Sequence, residues 1–394
     1  MNFSININAI IPAVTILQTL IFVPILWLRG VREERKSDKW LAFLLVTLAL
    51  TVLPFTLGWL GITYLWEELP MLPWDGFSLL TPAAIYFFLC SLIQADFKLQ
   101  KRNYWAFLPY IVYFCYHLAV GLQQKDWVLQ FWHGVDNYIN PCFNLVELGL
   151  NIYFLYQSFH LYNQYQKQVP EQYSDVETAS FKWFRNFLYV FTAVVIINFA
   201  YTISDFFMDY GYNQMWWLYL VISAYTYYRS VAGYAQPRVR PLARVHSLSE
   251  AAAAFAPATS PNKPVDLPIE TTEITLKNTL SEAELLQWKS RLEQLMQAQQ
   301  PYLEPELTLS DLATRLKTNV SVVSMVINTA FAKNFNDYIN EQRVNAFQQR
   351  AKSTDWSHLT LLGIAFDSGF NSKTTFNRAF KKHTGLSPTE WMRG

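Results

Sequence analysis

Seven apolar segments before residue 235 constrain the fold of this chain more than any other feature. Each holds about 18 or more mostly apolar residues, enough to cross the hydrocarbon core of a bilayer as a helix. Backbone polar groups inside a bilayer must be satisfied within the chain, so such segments fold as helices. The sequence therefore predicts a seven-helix transmembrane bundle over residues 1–234, with spans at 9–28, 40–60, 77–94, 104–122, 139–159, 187–208 and 215–232.

Basic residues are concentrated in alternate loops between these segments, which predicts the orientation of the bundle. Cytoplasmic loops of membrane proteins carry an excess of Lys and Arg. The loops after the first, third, fifth and seventh spans are basic, whereas the other loops carry only Lys125. The pattern predicts a multi-pass protein of the inner (cytoplasmic) membrane, in contact with membrane lipids, with its N-terminus outside and its C-terminus in the cytoplasm.

Two of the predicted spans carry polar residues at helical spacing. In the fifth span Asn144, Glu147 and Asn151 share one helical face, and in the sixth Asn198 and Asp205 do so. Ionisable groups in a bilayer are costly, so they normally face the bundle interior and often serve a function. These five residues are candidates for a pocket that senses a small-molecule or membrane signal. The alternative is that they only form hydrogen bonds between helices.

The composition changes after residue 234, which marks a second region of the chain. Residues 235–280 are rich in Pro, Ala and Ser and show no helical or strand period, as expected for a flexible linker. Residues 281–300 predict a helix that begins at a capping box of Ser281 and Glu284. This helix has a short apolar stripe with the spacing of a coiled-coil seam, formed by Leu285, Trp288, Leu292 and Leu295. The stripe suits either packing on the following domain or a homodimer.

Residues 360–391 have the pattern of two short helices around a tight turn. Gly369 stands where the first helix must end, and Ser372 is placed to cap a second helix that runs to about residue 380. The apolar residues of the second helix, Phe376 among them, face inward. Its outer face is polar and basic, which suits a groove of DNA.

The same unit occurs earlier, over residues 307–331, where Asn319 takes the place of Ser372. Residues 336–352 contain no helix breaker and predict one helix that connects the two units. One helix-turn-helix pattern is a weak signal, because many helical hairpins share it, but two copies with matched spacing are specific. The sequence predicts an all-α DNA-binding domain over residues 301–394. This region contains 11 Lys and Arg residues and 8 Asp and Glu residues, a balance that permits binding to nucleic acid.

At these positions the chain resembles the AraC/XylS family of transcription regulators. The resemblance rests on LSDLA at 309–313, FNDYINEQRV at 335–344, IAFDSGFNSKTTFNRAFKK at 364–382, and GLSP together with Trp391. It covers the chain from about residue 303 to the C-terminus. The layout of seven spans and a Pro-rich linker is similar to the membrane-anchored branch of that family.

The resemblance implies two recognition helices that enter successive major-groove segments on one face of double-stranded DNA, about 34 Å apart. Base contacts would come from Ser321, Ser324 and Met325 in the first unit, and from Lys373, Thr374 and Asn377 in the second. Phosphate contacts would come from Lys333, Arg343, Arg378, Lys381 and Lys382. The first recognition helix contains no Lys or Arg, which favours the second as the main source of affinity.

These features favour a membrane-bound one-component transcription regulator whose spans sense a signal. Two alternatives stay open: a transporter or lipid-modifying enzyme fused to a DNA-binding domain, and spans that act only as an anchor. Against an enzyme, the sequence lacks a Gly-rich phosphate loop, an HExxH motif and paired carboxylates in a water-facing loop. Its three cysteines lie in apolar segments without metal spacing. We expect neither catalysis nor a bound metal or cofactor.

Overall fold

The computed structural model describes residues 9–62, 76–94, 97–121, 136–180, 182–208, 216–234, 280–353 and 359–393. These residues form helices and 3-10 turns, with one isolated bridge between Tyr173 and Thr308. They fall into two compact units, the first within Met1–Gln164 and Lys182–Pro241, the second within Tyr165–Phe181 and Leu242–Gly394. The all-α fold class is confirmed. The predicted linker lies outside the described residues, apart from its last residue.

All seven predicted spans contain helical structure in the described residues. In chain order the helices are α1 (Ile10–Arg32), α2 (Lys36–Trp59), α3 (Thr81–Ile93, preceded by a 3-10 turn at Gly76–Leu80), α4 (Leu108–Gly121, preceded by a 3-10 turn at Lys101–Phe107), α5 (Asp136–Gln172), the single-turn α6 (Val176–Ala179), α7 (Lys182–Met208) and α8 (Trp216–Tyr234). Four described segments are both long and apolar enough to cross a membrane: Ile10–Arg32, Lys36–Trp59, Gly76–Ile93 and Lys182–Ser204. The count of seven spans stays a prediction.

A partly buried ion pair closes the turn between α1 and α2. Arg29 donates from Nε to Asp38 Oδ2 at 2.6 Å and from Nη2 to Oδ1 at 3.1 Å, the two-pronged geometry that suits a guanidinium and a carboxylate. Gly30 allows α1 and α2 to approach each other closely next to this pair, because a Cβ at Gly30 would lie 2.9 Å from Lys39 Cγ. Helix α2 also packs against α3 and α8.

The outer faces of α1, α5 and α7 are apolar and exposed. Leu20, Leu145 and Ile196 each leave more than half of their surface uncovered. Two hydroxyls in α1 and α7 are satisfied locally: Thr19 and Thr192 each donate to the carbonyl four residues earlier, at 2.9 and 2.7 Å. Helices with apolar surfaces and internally bonded hydroxyls are typical of a lipid environment.

The second unit contains both predicted helix-turn-helix motifs. Its helices are α9 (Glu282–Gln299), α10 (Leu309–Arg315), α11 (Val320–Ala330), α12 (Phe335–Lys352), α13 (Leu361–Asp367), α14 (Lys373–Thr384) and α15 (Pro388–Arg393), with a 3-10 turn at Pro301–Leu303. Helices α10 and α11 form the first motif, α13 and α14 the second, and α12 connects them as predicted. Helix α14 is four residues longer than predicted, because no breaker follows residue 380 before Gly385.

Side-chain caps fix where these helices begin. Ser281 and Glu284 form the predicted capping box, with Ser281 N donating to Glu284 Oε2 at 2.9 Å. Asn319 Oδ1 accepts from Val322 N at 2.8 Å, and Ser372 Oγ accepts from Thr375 N at 3.1 Å. The predicted caps of both recognition helices, α11 and α14, are therefore confirmed.

Two apolar cores meet on α12. Phe335, Tyr338 and Ile339 on its first half pack with α10 and α11, while Val344 and Phe347 on its second half pack with α13 and α14. The apolar stripe of α9 joins the first core, through buried Leu292 and Leu295 and partly buried Leu285 and Trp288. The stripe therefore packs on the following domain, as one of its two interpretations predicts, and the homodimer stays a prediction.

A segment from much earlier in the chain completes the second unit. Residues 165–181, here called the inter-span segment, include the end of α5 and all of α6 and group with the C-terminal residues. Ser174 N donates to Leu307 O at 3.2 Å, next to the bridge between Tyr173 and Thr308. The sequence predicted one domain over residues 1–234, and the structure differs for this segment because its polar groups pair with the C-terminal unit.

Candidate nucleic-acid interface

The second recognition helix, α14, presents the predicted polar face. Lys373, Thr374 and Asn377 are exposed on one side of the helix, together with Arg378. Phe376 and Phe380, on the opposite side, are buried in the second core. The inward face fixes the helix on the domain and leaves the outward face able to enter a groove, with its N-terminal residues foremost.

The first recognition helix, α11, offers a smaller polar face than predicted. Ser324 and Met325 are half-exposed, but Ser321 is only 9% exposed and Val322 packs into the first core. Ser321 therefore does not face outward in this structure, because the first turn of α11 lies against the domain. Asn328, one turn further along the helix, is exposed and donates from Nδ2 to Ser324 Oγ at 3.4 Å. Sequence reasoning missed Asn328, although it stands four residues after Ser324.

The predicted phosphate contacts differ in their surroundings. Arg378 and Lys381 are exposed. Lys382 is also exposed and pairs with Asp337 at 2.6 Å, a surface ion pair that costs little to exchange for a phosphate. Lys333 is half-buried and pairs with Glu341. Burial lowers the pKa of His383, so this residue adds little positive charge at neutral pH. The basic end of α14 is therefore formed by Lys381 and Lys382, with Arg378 one turn earlier.

Arg343 is a correction to the predicted phosphate contacts. It is only 1% exposed, so its guanidinium faces inward and does not reach DNA in this structure. Nε donates to Tyr302 O at 2.8 Å, and Nη2 donates to Glu304 O at 2.7 Å and to Ser174 Oγ at 3.0 Å. Burial lowers the pKa of Arg343 to about 10, which leaves it charged at neutral pH. It stabilises the domain from inside.

Acidic side chains of the inter-span segment contact both helix-turn-helix units. Glu177 Oε2 accepts from Ser372 Oγ at 3.1 Å, and Asp175 Oδ2 accepts from Asn371 Nδ2 at 2.6 Å. Glu171 Oε2 accepts from Asn328 Nδ2 at 3.4 Å. Sequence reasoning missed these contacts. The available signal was a group of acidic residues, DVE at 175–177, in a loop otherwise assigned by its basic residues.

The predicted signal residues are only partly brought together. Glu147 Oε2 accepts from Ser78 Oγ at 2.8 Å, and Asn151, which is buried, donates to Glu147 O at 3.1 Å. Asn144 is exposed and Asn198 half-exposed. Asp205 belongs to α7, but its side chain lies outside the described part of the chain. Within the described residues, no group of three or more His, Cys, Asp or Glu side chains could hold a metal ion.

The fold and this face define a DNA-binding domain built from two helix-turn-helix units. Comparison with known proteins agrees: residues 312–394 match the family model of a helix-turn-helix domain. The chain is 29% identical over 87 residues to the melibiose operon regulatory protein of Escherichia coli strain K12, and equally to that of strain O6:H1. Each match covers 22% of this chain and 28% of the relative. No solved structure matches the chain significantly.

The C-terminal domain is of the AraC/XylS type, and the predicted resemblance to this family of regulators is confirmed for that domain.

Proposed function

We propose that the chain is a membrane-bound transcription regulator that binds double-stranded DNA sequence-specifically through both helix-turn-helix units. The observation that carries the proposal is the exposed polar face of α14, which is held outward by the buried residues behind it. In this proposal Lys373, Thr374 and Asn377 contact bases, with Ser324 and Met325 of α11 in a lesser role. Arg378, Lys381, Lys382 and Lys333 contact phosphates.

In this proposal the N-terminal unit lies in the cytoplasmic membrane. Four long apolar helices and the exposed apolar faces of α1, α5 and α7 support a membrane location. The basic loops support an orientation with the C-terminal domain in the cytoplasm. The inter-span segment, which comes from one of those basic loops, packs in the same compact unit as the C-terminal domain, and this supports the same orientation.

The N-terminal unit also senses a signal in this proposal. The buried surroundings of Asn151 and the bond between Glu147 and Ser78 support a polar site within apolar helices, where such groups are rarely kept without a function. A small molecule or a membrane component that interacts with Glu147 would change the position of α5, the helix that carries it.

Salt dependence tests the DNA-binding part of this proposal. DNA fragments that bind the full chain in lipid nanodiscs are first selected from genomic DNA. If about four to six phosphates are neutralised, the binding constant falls with a log–log salt slope of about −4 to −5. A flat salt response, or equal affinity for selected and random fragments, contradicts sequence-specific DNA binding.

A further inference from the structure

The inter-span segment is a folded element with its own internal bonds. Tyr165 donates from its hydroxyl to Ala179 O at 2.6 Å, and Gln166 donates to Ser180 O. Asp175 Oδ1 accepts from Glu177 N at 3.1 Å and so caps the short helix α6. These bonds hold the acidic residues of the segment in a defined arrangement.

Ser174 joins this segment to the start of the first helix-turn-helix unit and to the connecting helix α12. It is fully buried. Its hydroxyl donates to Leu307 O at 2.7 Å, at the entry to the first helix-turn-helix unit, and accepts from Arg343 Nη2 at 3.0 Å. Its carbonyl accepts from Asn336 Nδ2 at 2.6 Å. Since Arg343 and Asn336 both belong to the connecting helix α12, the segment is bonded to the scaffold that holds the two recognition helices.

From this position the segment places a carboxylate at the N-terminus of the second recognition helix. Glu177 Oε2 accepts from the capping residue Ser372 at 3.1 Å and from Thr375 Oγ1 at 3.3 Å. Asp175 accepts from Asn371, immediately before the cap. Helix N-termini attract anions, and the N-terminal residues of a recognition helix are those that contact DNA. The segment therefore presents negative charge where DNA would present its own.

We propose that the inter-span segment is an intramolecular competitor of DNA. While it is docked, Glu177 and Asp175 occupy the N-terminal end of α14. A change in α5 or α7, the helices on either side of the segment along the chain, withdraws it and allows this end to enter the groove. The inference rests on the proposed function, because competition requires that DNA bind at α14.

The test compares DNA affinities of the full-length chain in nanodiscs. In Glu177→Gln the side chain keeps its size but loses its charge, and charge-assisted hydrogen bonds are about twice as strong as neutral ones. The docked state is weakened, and we expect DNA binding about 3- to 10-fold tighter than that of the unmodified chain. Glu282→Gln is the matched control, since it makes the same charge change at an exposed site on α9. Its affinity is expected to stay within about twofold.

Hydrogen exchange of the unmodified chain gives a second measurement, independent of any variant. The amide of Ser174, which donates to Leu307 O, is expected to lose protection when saturating DNA is added. Unchanged protection with DNA bound, or equal affinities of Glu177→Gln and Glu282→Gln, overturns the competition. If neither the unmodified chain nor Glu177→Gln binds any selected fragment, the proposed function itself fails.

Discussion

Arg343 acts as a bridge inside the C-terminal domain. Its donors reach the carbonyls of Tyr302 and Glu304, before the first helix-turn-helix unit, and the hydroxyl of Ser174 in the inter-span segment. An arginine buried with so many acceptors becomes costly to remove, because the carbonyls it satisfies lose their partner without access to water. Arg378, in contrast, is exposed to solvent on the outer face of α14.

The two arginines are therefore expected to respond differently to truncation. Arg343→Ala lowers the free energy of unfolding of the C-terminal unit by about 2–4 kcal/mol. Arg378→Ala changes it by less than about 0.5 kcal/mol but weakens DNA binding and reduces the salt slope by about 1. Pulse proteolysis in urea measures the first effect, and binding titrations at several salt concentrations measure the second. A stable Arg343→Ala protein with a reduced salt slope would restore the phosphate contact originally predicted for Arg343.

At the scale of the helix, the turn between α13 and α14 depends on Gly369. Its φ of +95° favours glycine, and a Cβ there would lie 2.3 Å from Tyr302 O and 2.9 Å from Leu303 Cα. Gly385, which ends α14 with a φ of +78°, has nothing within 4 Å of such a Cβ. The two glycines share a backbone conformation and differ in the space around them.

This difference gives a matched pair of substitutions. Gly385→Ala costs about 1 kcal/mol for the backbone conformation alone. In Gly369→Ala the new Cβ also collides with the main chain of the 3-10 turn at Pro301–Leu303. We therefore expect a loss of at least about 2–3 kcal/mol in the free energy of unfolding. Urea titration of the two variants, followed by the same proteolysis, measures both. Equal losses would show that the space around Gly369 relaxes at no cost.

The caps of these helices could be predicted from sequence and the inter-span contacts could not. Asn319 and Ser372 each close a bond to an amide three residues later, so the chemistry is complete within a short stretch. Ser174 bonds to groups 133 and 169 residues away. A serine in a polar loop carries no local sign of such partners. The inward orientation of Arg343 depends on the same distant contacts, which is why its charge suggested a surface role.

At the scale of the whole molecule, sensing requires that a group in the apolar helices affect the DNA-binding domain. Glu147→Gln keeps the shape of the side chain at its bond with Ser78 and removes the possibility of charge. We expect the transcription of a reporter gene under a bound promoter to change by about 3- to 10-fold, at unchanged protein level. Ser78→Ala should produce a change in the same direction, because it removes the hydrogen-bond partner.

Reporter assays in cells, with the amount of protein in the membrane measured in parallel, test this expectation. Output equal to that of the unmodified chain in both variants would mean that these helices only anchor the DNA-binding domain. A change for Ser78→Ala alone would point to a packing effect rather than to the carboxyl group.

The bonds of Glu177 to Ser372 and Thr375 join residues 195 and 198 positions apart in one polypeptide. Each copy of the domain therefore carries its own acidic segment. The effective concentration of that segment is on the order of millimolar for a short tether and lower for a longer one. Dilution does not weaken this internal contact, and making more protein does not saturate it. The fraction of molecules available to DNA is thus independent of how many copies the cell contains.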